Sequence, residues 1–114
     1  MGRWLEFFVR RVVVEGTSMM PTYAPGERLT ALRPWRRVRT GDVVVIRDPR
    51  DAQRWLLKRC VARQGRGLDL RGDNPGASTD SRDFGLVPAR AVRYLVVGGS
   101  ALSGSPLLKS EKRR

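Results

Sequence analysis

Lys58 is the single lysine among the first 108 residues of this 114-residue chain, and the chain contains no histidine. The other basic side chains before residue 109 are arginines, which hold their proton at any usable pH. A lysine gives up its proton when it is desolvated. Forty residues upstream lies Gly16-Thr17-Ser18-Met19-Met20-Pro21-Thr22, a hydroxyl in a tightly punctuated turn. Gly16 permits close approach of another backbone, and Pro21 stiffens the segment after the serine. Backbone N–H groups around Gly16, Ser18 and Met19 suit the stabilisation of an oxyanion. By itself the segment fits better a serine making a local hydrogen bond at the end of a strand. Paired with Lys58, it fits a serine nucleophile served by a lysine general base.

The remaining composition narrows the chemistry. Without histidine there is no Ser-His-Asp or Cys-His catalysis and no usual zinc site. Cys60 is the one cysteine, so no intramolecular disulfide and no cysteine-based metal site forms. No metal and no cofactor is expected. The third segment able to contribute is the polar loop Gly72 to Gly85, rich in turn formers. Asp80 and Arg82 are spaced to form an ion pair that fixes this loop. A hydroxyl here would orient the lysine, since a base needs a positioning partner.

The elements that must hold these residues read as short β-type runs with turn punctuation and no helical period. Strands are expected over 9–14, 28–32, 43–46, 55–63, 68–70 and 92–97. In the run 55–63 one face alternates Leu56, Lys58, Cys60, Ala62. Every neighbour of Lys58 on that face is apolar or small, so the ammonium is expected in a buried setting, where it tends to lose its proton. The alternative is a lysine at a sheet edge with its head in water. Five or six strands make a compact all-β fold, a folded sheet or barrel. A single domain is expected over 1–102, and a loose basic tail over 103–114.

The formal net charge of +12 admits nucleic acid, an anionic membrane surface or an acidic partner. Arginine spread along the chain is the plainer reading. Nucleic acid is not favoured, because the arginines are not interleaved with an aromatic platform. Arg33, Arg36, Arg37 and Arg39 cluster around Pro34 and Trp35 as a candidate contact surface. No apolar run reaches the length of a bilayer span. The expected location is the cytoplasm. The alternative is a peripheral membrane contact through residues 4–11, where arginines flank an apolar segment.

Taken in order, Ser18-Met19-Met20-Pro21-Thr22, Gly41-Asp42-Val43-Val44, Lys58-Arg59, and Gly72-Asp73-Asn74 with Ser78, Asp80-Ser81-Arg82 and Gly85 resemble the boxes of the type I signal peptidase (S26) family. The resemblance covers about residues 12–97. It implies a Ser/Lys-dyad endopeptidase on the all-β fold that signal peptidases share with LexA-like proteins. Ser18 would be the nucleophile, Lys58 the general base and Ser78 the group that orients Lys58. Asp80 and Arg82 would brace the site. A precursor protein would bind as an extended strand beside the segment leading to Ser18. Gly16 stands where some members carry a serine whose hydroxyl aids the oxyanion, which leaves the backbone N–H of Ser18 as the evident donor. The short stretch between Lys58 and Gly72, with Asp-Asn-Pro and Ser-Thr-Asp-Ser-Arg, is most similar to the proteases that mature nickel-type superoxide dismutase by removing an N-terminal leader. A membrane-associated signal peptidase and a LexA-like self-cleaving regulator are the alternatives within the same chemistry. A catalytically idle, arginine-rich β-domain that binds nucleic acid is the alternative outside it.

Overall fold

Seven strands, all paired antiparallel, form one sheet in the computed structural model, which describes residues 9–99. In chain order they are β1 (Val9–Val13), β2 (Arg28–Leu32), β3 (Val43–Asp48), β4 (Asp51–Gln64), β5 (Gly67–Arg71), β6 (Val87–Pro88) and β7 (Tyr94–Gly99). Their order across the sheet is β1-β2-β7-β3-β4-β5-β6. The all-β expectation holds, as a folded sheet with β1 and β6 at its two ends. Residues 4–8 of the expected membrane contact and the expected tail 103–114 lie outside the described residues.

The strands follow their side-chain patterns. β3 opens with four apolar residues, Val43 to Ile46, and all four are buried. A continuous apolar run suits a strand covered on both faces. β4 is longer than its apolar pattern, because Asp48 and Asp51 close a tight hairpin and its polar first residues pair back onto β3. Only residues from Arg59 onward also pair with β5, so among the described residues the first half of β4 keeps one edge open. The core gathers Val44, Ile46, Leu56, Cys60, Leu68, Leu70, Val87 and Leu95 from five strands, with Val38 and Val92. Burying each of the larger side chains contributes about 1.5–3 kcal/mol. Burial pushes the Cys60 thiol pKa up, so Cys60 behaves as a small apolar side chain.

Three departures from the sequence expectation have local causes. Ala62 does not continue the buried face, because the register shifts between Cys60 and Ala62 and the bulge rotates the strand. β7 begins at Tyr94 rather than residue 92, because a 3-10 turn at Ala89–Ala91 delivers Val92 straight into the core. A single helical turn, α1 (Ser81–Phe84), stands where no helix was expected. Four residues are too few to show a period. The turn exists because Asp80 caps it, accepting from the Arg82 N–H while the Asp83 side chain accepts from the Asp80 N–H.

Among the described residues no helix is long and apolar enough to cross a membrane.

Candidate active site

Ser18 is delivered by β1 and held on both sides. Where β1 ends, Val14 N–H donates to the Glu27 carbonyl at 2.9 Å and Gly26 N–H donates to the Val14 carbonyl at 2.7 Å. Gly16 then turns the chain with φ 73, a left-handed conformation that favours glycine. After it the backbone coils tightly, with Met20 N–H on the Thr17 carbonyl and Tyr23 N–H on the Met19 carbonyl. Met19 is the anchor, buried at 1% exposure, and it fixes the adjacent half-buried Ser18. From the opposite side Asn74 donates through its backbone N–H to the Ser18 carbonyl (2.8 Å) and through its side chain to the Thr17 carbonyl (3.0 Å). Gly72 makes this approach possible. A Cβ there would lie 2.7 Å from the Ser18 carbonyl oxygen and closer still to Ser78 Oγ. Among the described residues the N–H groups of Ser18 and Met19 meet no acceptor.

Lys58 stands on β4 opposite Val44, flanked on its face by buried Leu56 and Cys60. It is 3% exposed. Burial lowers its pKa; the Asp80 carboxylate opposes the shift, while Arg54 and Arg82 reinforce it. Its Nζ donates to Ser78 Oγ at 2.8 Å. Ser78 Oγ in turn donates to Asp80 Oδ2 at 2.9 Å. This direction matters. An ionised carboxylate only accepts, so the single Ser78 proton is committed to Asp80. Toward Lys58 the hydroxyl can then only accept. A neutral Lys58 amine held this way keeps its lone pair free for another proton donor. Ser18 lines the same cleft, about 970 Å³ in volume. Among the described residues no hydrogen bond yet joins Ser18 to Lys58; such bonds often tighten only when substrate arrives.

Asp80 is fully buried and is the hub beneath this pair. It accepts from Gly72 N–H (2.9 Å), Arg82 N–H (3.1 Å), Arg82 Nε (2.9 Å) and Arg82 Nη2. Burial alone would raise its pKa, but the Arg82 guanidinium, those N–H groups and the Ser78 hydroxyl outweigh it and hold the carboxyl well below the usual range. The expected Asp80–Arg82 pair is therefore present, and it ties the loop to both Gly72 and Ser78.

A second network escaped the sequence reading. Thr22 Oγ1 donates to Asp73 (2.6 Å), Arg59 donates to both Asp73 oxygens at 2.9 Å, and Arg59 Nη1 reaches the Gly41 carbonyl (2.8 Å). The Arg59 guanidinium beside Asp73 lowers the carboxyl's pKa despite partial burial. The four motif segments that were read separately are thus joined through the Arg59–Asp73 pair. The available signal was that Arg59 follows Lys58 on an alternating strand, so its side chain had to leave on the other face.

The pKa direction of Lys58 gives a testable pH profile. Below its depressed pKa the amine is protonated and, were it the base for Ser18, could take no proton from it. Activity is therefore expected to rise with pH through a limb lying below the free lysine value of about 10.4. Arg54→Gln removes a charge that lowers Lys58, so that limb should move to higher pH. An acid limb that ignores Arg54→Gln would assign the titration to another group.

An antiparallel folded sheet that carries a half-buried serine and a desolvated lysine into one cleft defines a signal peptidase-like protein. The chain belongs to the signal peptidase family, peptidase S26, whose profile matches residues 3–71. That match spans β1 to β5 and ends before the loop of Ser78 and Asp80. The chain is 31% identical to the mitochondrial ATP-independent inner membrane protease subunit 1a of Arabidopsis thaliana over 123 aligned positions, covering 85% of this chain and 70% of the relative. It is 29% identical to the mitochondrial inner membrane protease subunit 1 of Schizosaccharomyces pombe, covering 81% of this chain and 73% of the relative. It is 30% identical to the mitochondrial inner membrane protease subunit 2 of Mus musculus, over 65% of this chain and 57% of that protein. The expected family is thus found, through relatives that bear the name of inner membrane proteases.

Proposed function

We propose that this protein is a serine endopeptidase that removes a short N-terminal leader from a precursor, using Ser18 as nucleophile and Lys58 as general base. The observation that carries this reading is Lys58: buried, hydrogen-bonded to Ser78, and lining the cleft that holds Ser18. The precursor lies extended beside β1, whose outer edge has no strand partner among the described residues. The neutral Lys58 amine takes the Ser18 proton as Oγ attacks the scissile carbonyl. The oxyanion is met by the backbone N–H of Ser18, with Met19 as the neighbouring donor. The Lys58 ammonium then protonates the leaving amine, and an acyl-enzyme remains. Lys58, neutral again, takes a proton from water as the water attacks the ester. Collapse releases Ser18 and the carboxylate product.

The precursor of a nickel-type superoxide dismutase is the substrate that Asp73-Asn74-Pro75 and Ser78 to Arg82 favour by resemblance, and it would be met in the cytoplasm. The relatives' names favour a second reading, a leader cleaved by a protein held peripherally at a membrane. Small side chains are expected beside the scissile bond, because Gly16 and Ala77 border the cleft near Ser18. The test offers the purified protein a nickel superoxide dismutase precursor and a secretory preprotein in vesicles, then sequences the new N-termini. One cut after the leader of the free precursor supports the first reading. A cut in the vesicle-bound preprotein alone transfers the assignment to membrane-associated processing. No cut in either, from a folded protein, overturns the peptidase proposal.

A further inference from the structure

The arginines of this chain are not distributed evenly over its ion pairs. Among the described residues the ion pairs use Arg36, Arg50, Arg59, Arg71 and Arg82, and none of these lines the cleft. The cleft is lined instead by Arg10, Arg11, Arg47, Arg54 and Arg93, with Glu15 as its acidic side chain. All five arginines are exposed. Arg11, Arg47, Arg54 and Arg93 enter no ion pair among the described residues. Arg47 lies over the Trp55 ring at 4.1 Å and donates to the Ala52 carbonyl, contacts that position the guanidinium and leave its charge uncompensated. A groove lined by one sign of charge concentrates field lines and attracts the opposite charge.

The placement of the charge is as informative as its sign. Arg54 precedes Lys58 by four residues on β4. Arg47 is three residues along β3 from Val44, the register partner of Lys58. At about 3.3 Å per residue the backbone positions of these two arginines lie about 10 Å or more along the strands from that of the lysine. Close to Ser18 the cleft offers Gly16, Thr17, Ala77 and Thr79 instead. We propose that the cleft selects precursors with acidic residues three or more positions from the scissile bond, bound as an extended chain that runs past these arginines. This rests on the peptidase reading and adds the substrate's chemistry to it. A lipid surface fits less well, since the arginines line a concave cleft and a bilayer meets convex ground. A single-stranded nucleic acid fits less well too, since Arg47 already covers a face of Trp55.

The test uses peptides spanning the leader junction of a nickel superoxide dismutase precursor. One carries an acidic block starting three residues before the cut and another carries it three residues after. Neutral and basic counterparts complete the set. One acidic peptide is expected to be cut about tenfold faster than the neutral one in kcat/KM at low salt. The ratio should fall toward one at about 0.5 M salt, and likewise in the double variant Arg11→Gln, Arg93→Gln. A ratio near one on both sides of the cut overturns the proposal, as does a ratio that the double variant leaves intact. If the double variant loses binding to phosphatidylglycerol vesicles while the peptide ratio stays unchanged, these arginines serve a membrane instead. Anisotropy with Ser18→Ala separates the two readings. Selective binding of the acidic peptide there, with no cutting by the unaltered protein, would retain the charge preference and remove the peptidase.

Discussion

Ser18→Ala and Lys58→Ala are each expected to reduce peptidase turnover by about a thousandfold or more, with the fold intact. The double variant should be little worse than either single one, because in the proposed mechanism the nucleophile and its base act as a unit. Losses that multiply would argue against a shared mechanism. Lys58→Arg should be as inactive as Lys58→Ala, since arginine keeps the charge but cannot accept a proton. Neither Lys58 change should be rescued by adjusting pH. Ser78→Ala should cost less, roughly tenfold to a hundredfold, because it removes the hydrogen bond that orients the amine and leaves the amine itself. Circular dichroism and thermal melts would confirm folding of each variant. A Lys58→Ala protein that melts as high as the parent is the expected companion result, since a buried amine stabilises little.

Asp80→Ala should act first on stability. It strips the acceptor from Gly72 N–H, Ser78 Oγ, and the Arg82 N–H and guanidinium together. Leaving the buried donors unsatisfied should cost about 2–3 kcal/mol, roughly 10 °C in melting temperature for a domain of this size. Arg82→Ala should destabilise as well, because it leaves the buried Asp80 carboxylate without its guanidinium partner. The effect carries a pH signature. The folded-state pKa of Asp80 is depressed, so its stabilisation is present above the unfolded value of about 3.9 and is lost as pH falls below it. The gap between parent and Asp80→Ala should therefore be full at pH 7 and shrink below about pH 4. Asp42, Asp48 and Asp73 are depressed as well, so the parent itself should weaken in acid. An Asp80→Ala protein of undiminished stability and no activity would remove Asp80 from the scaffold and place it in the chemistry.

What was legible in the sequence was local. β2 appears with its expected bounds because five residues of alternating pattern sit between clear turns. Lys58 was legible because every residue two steps away along its strand is apolar or small. Ala62 broke that rule through a bulge, which leaves no mark on an alternating pattern. α1 and β6 span four and two residues, shorter than either period needs to declare itself. The Thr22–Asp73–Arg59–Gly41 network joins segments up to 51 positions apart, and no local pattern encodes such a pairing. The arginines show the same limit. Along the chain they looked evenly spread, and only folding separates those neutralised by aspartates from those left facing the cleft.

Among the described residues β1 and the first half of β4 have open edges, and these have a consequence for how copies of this chain meet one another. An unpaired strand edge that captures one extended chain will capture any other, including the same edge of a second molecule, and so begin aggregation. A protein that must leave an edge uncovered cannot remove this hazard by covering it. Here Arg10 and Arg11 lie on β1 and Arg54 on β4, so two copies approaching edge to edge bring like charges together. The residues that welcome an oppositely charged chain thereby also keep the molecule from recognising itself.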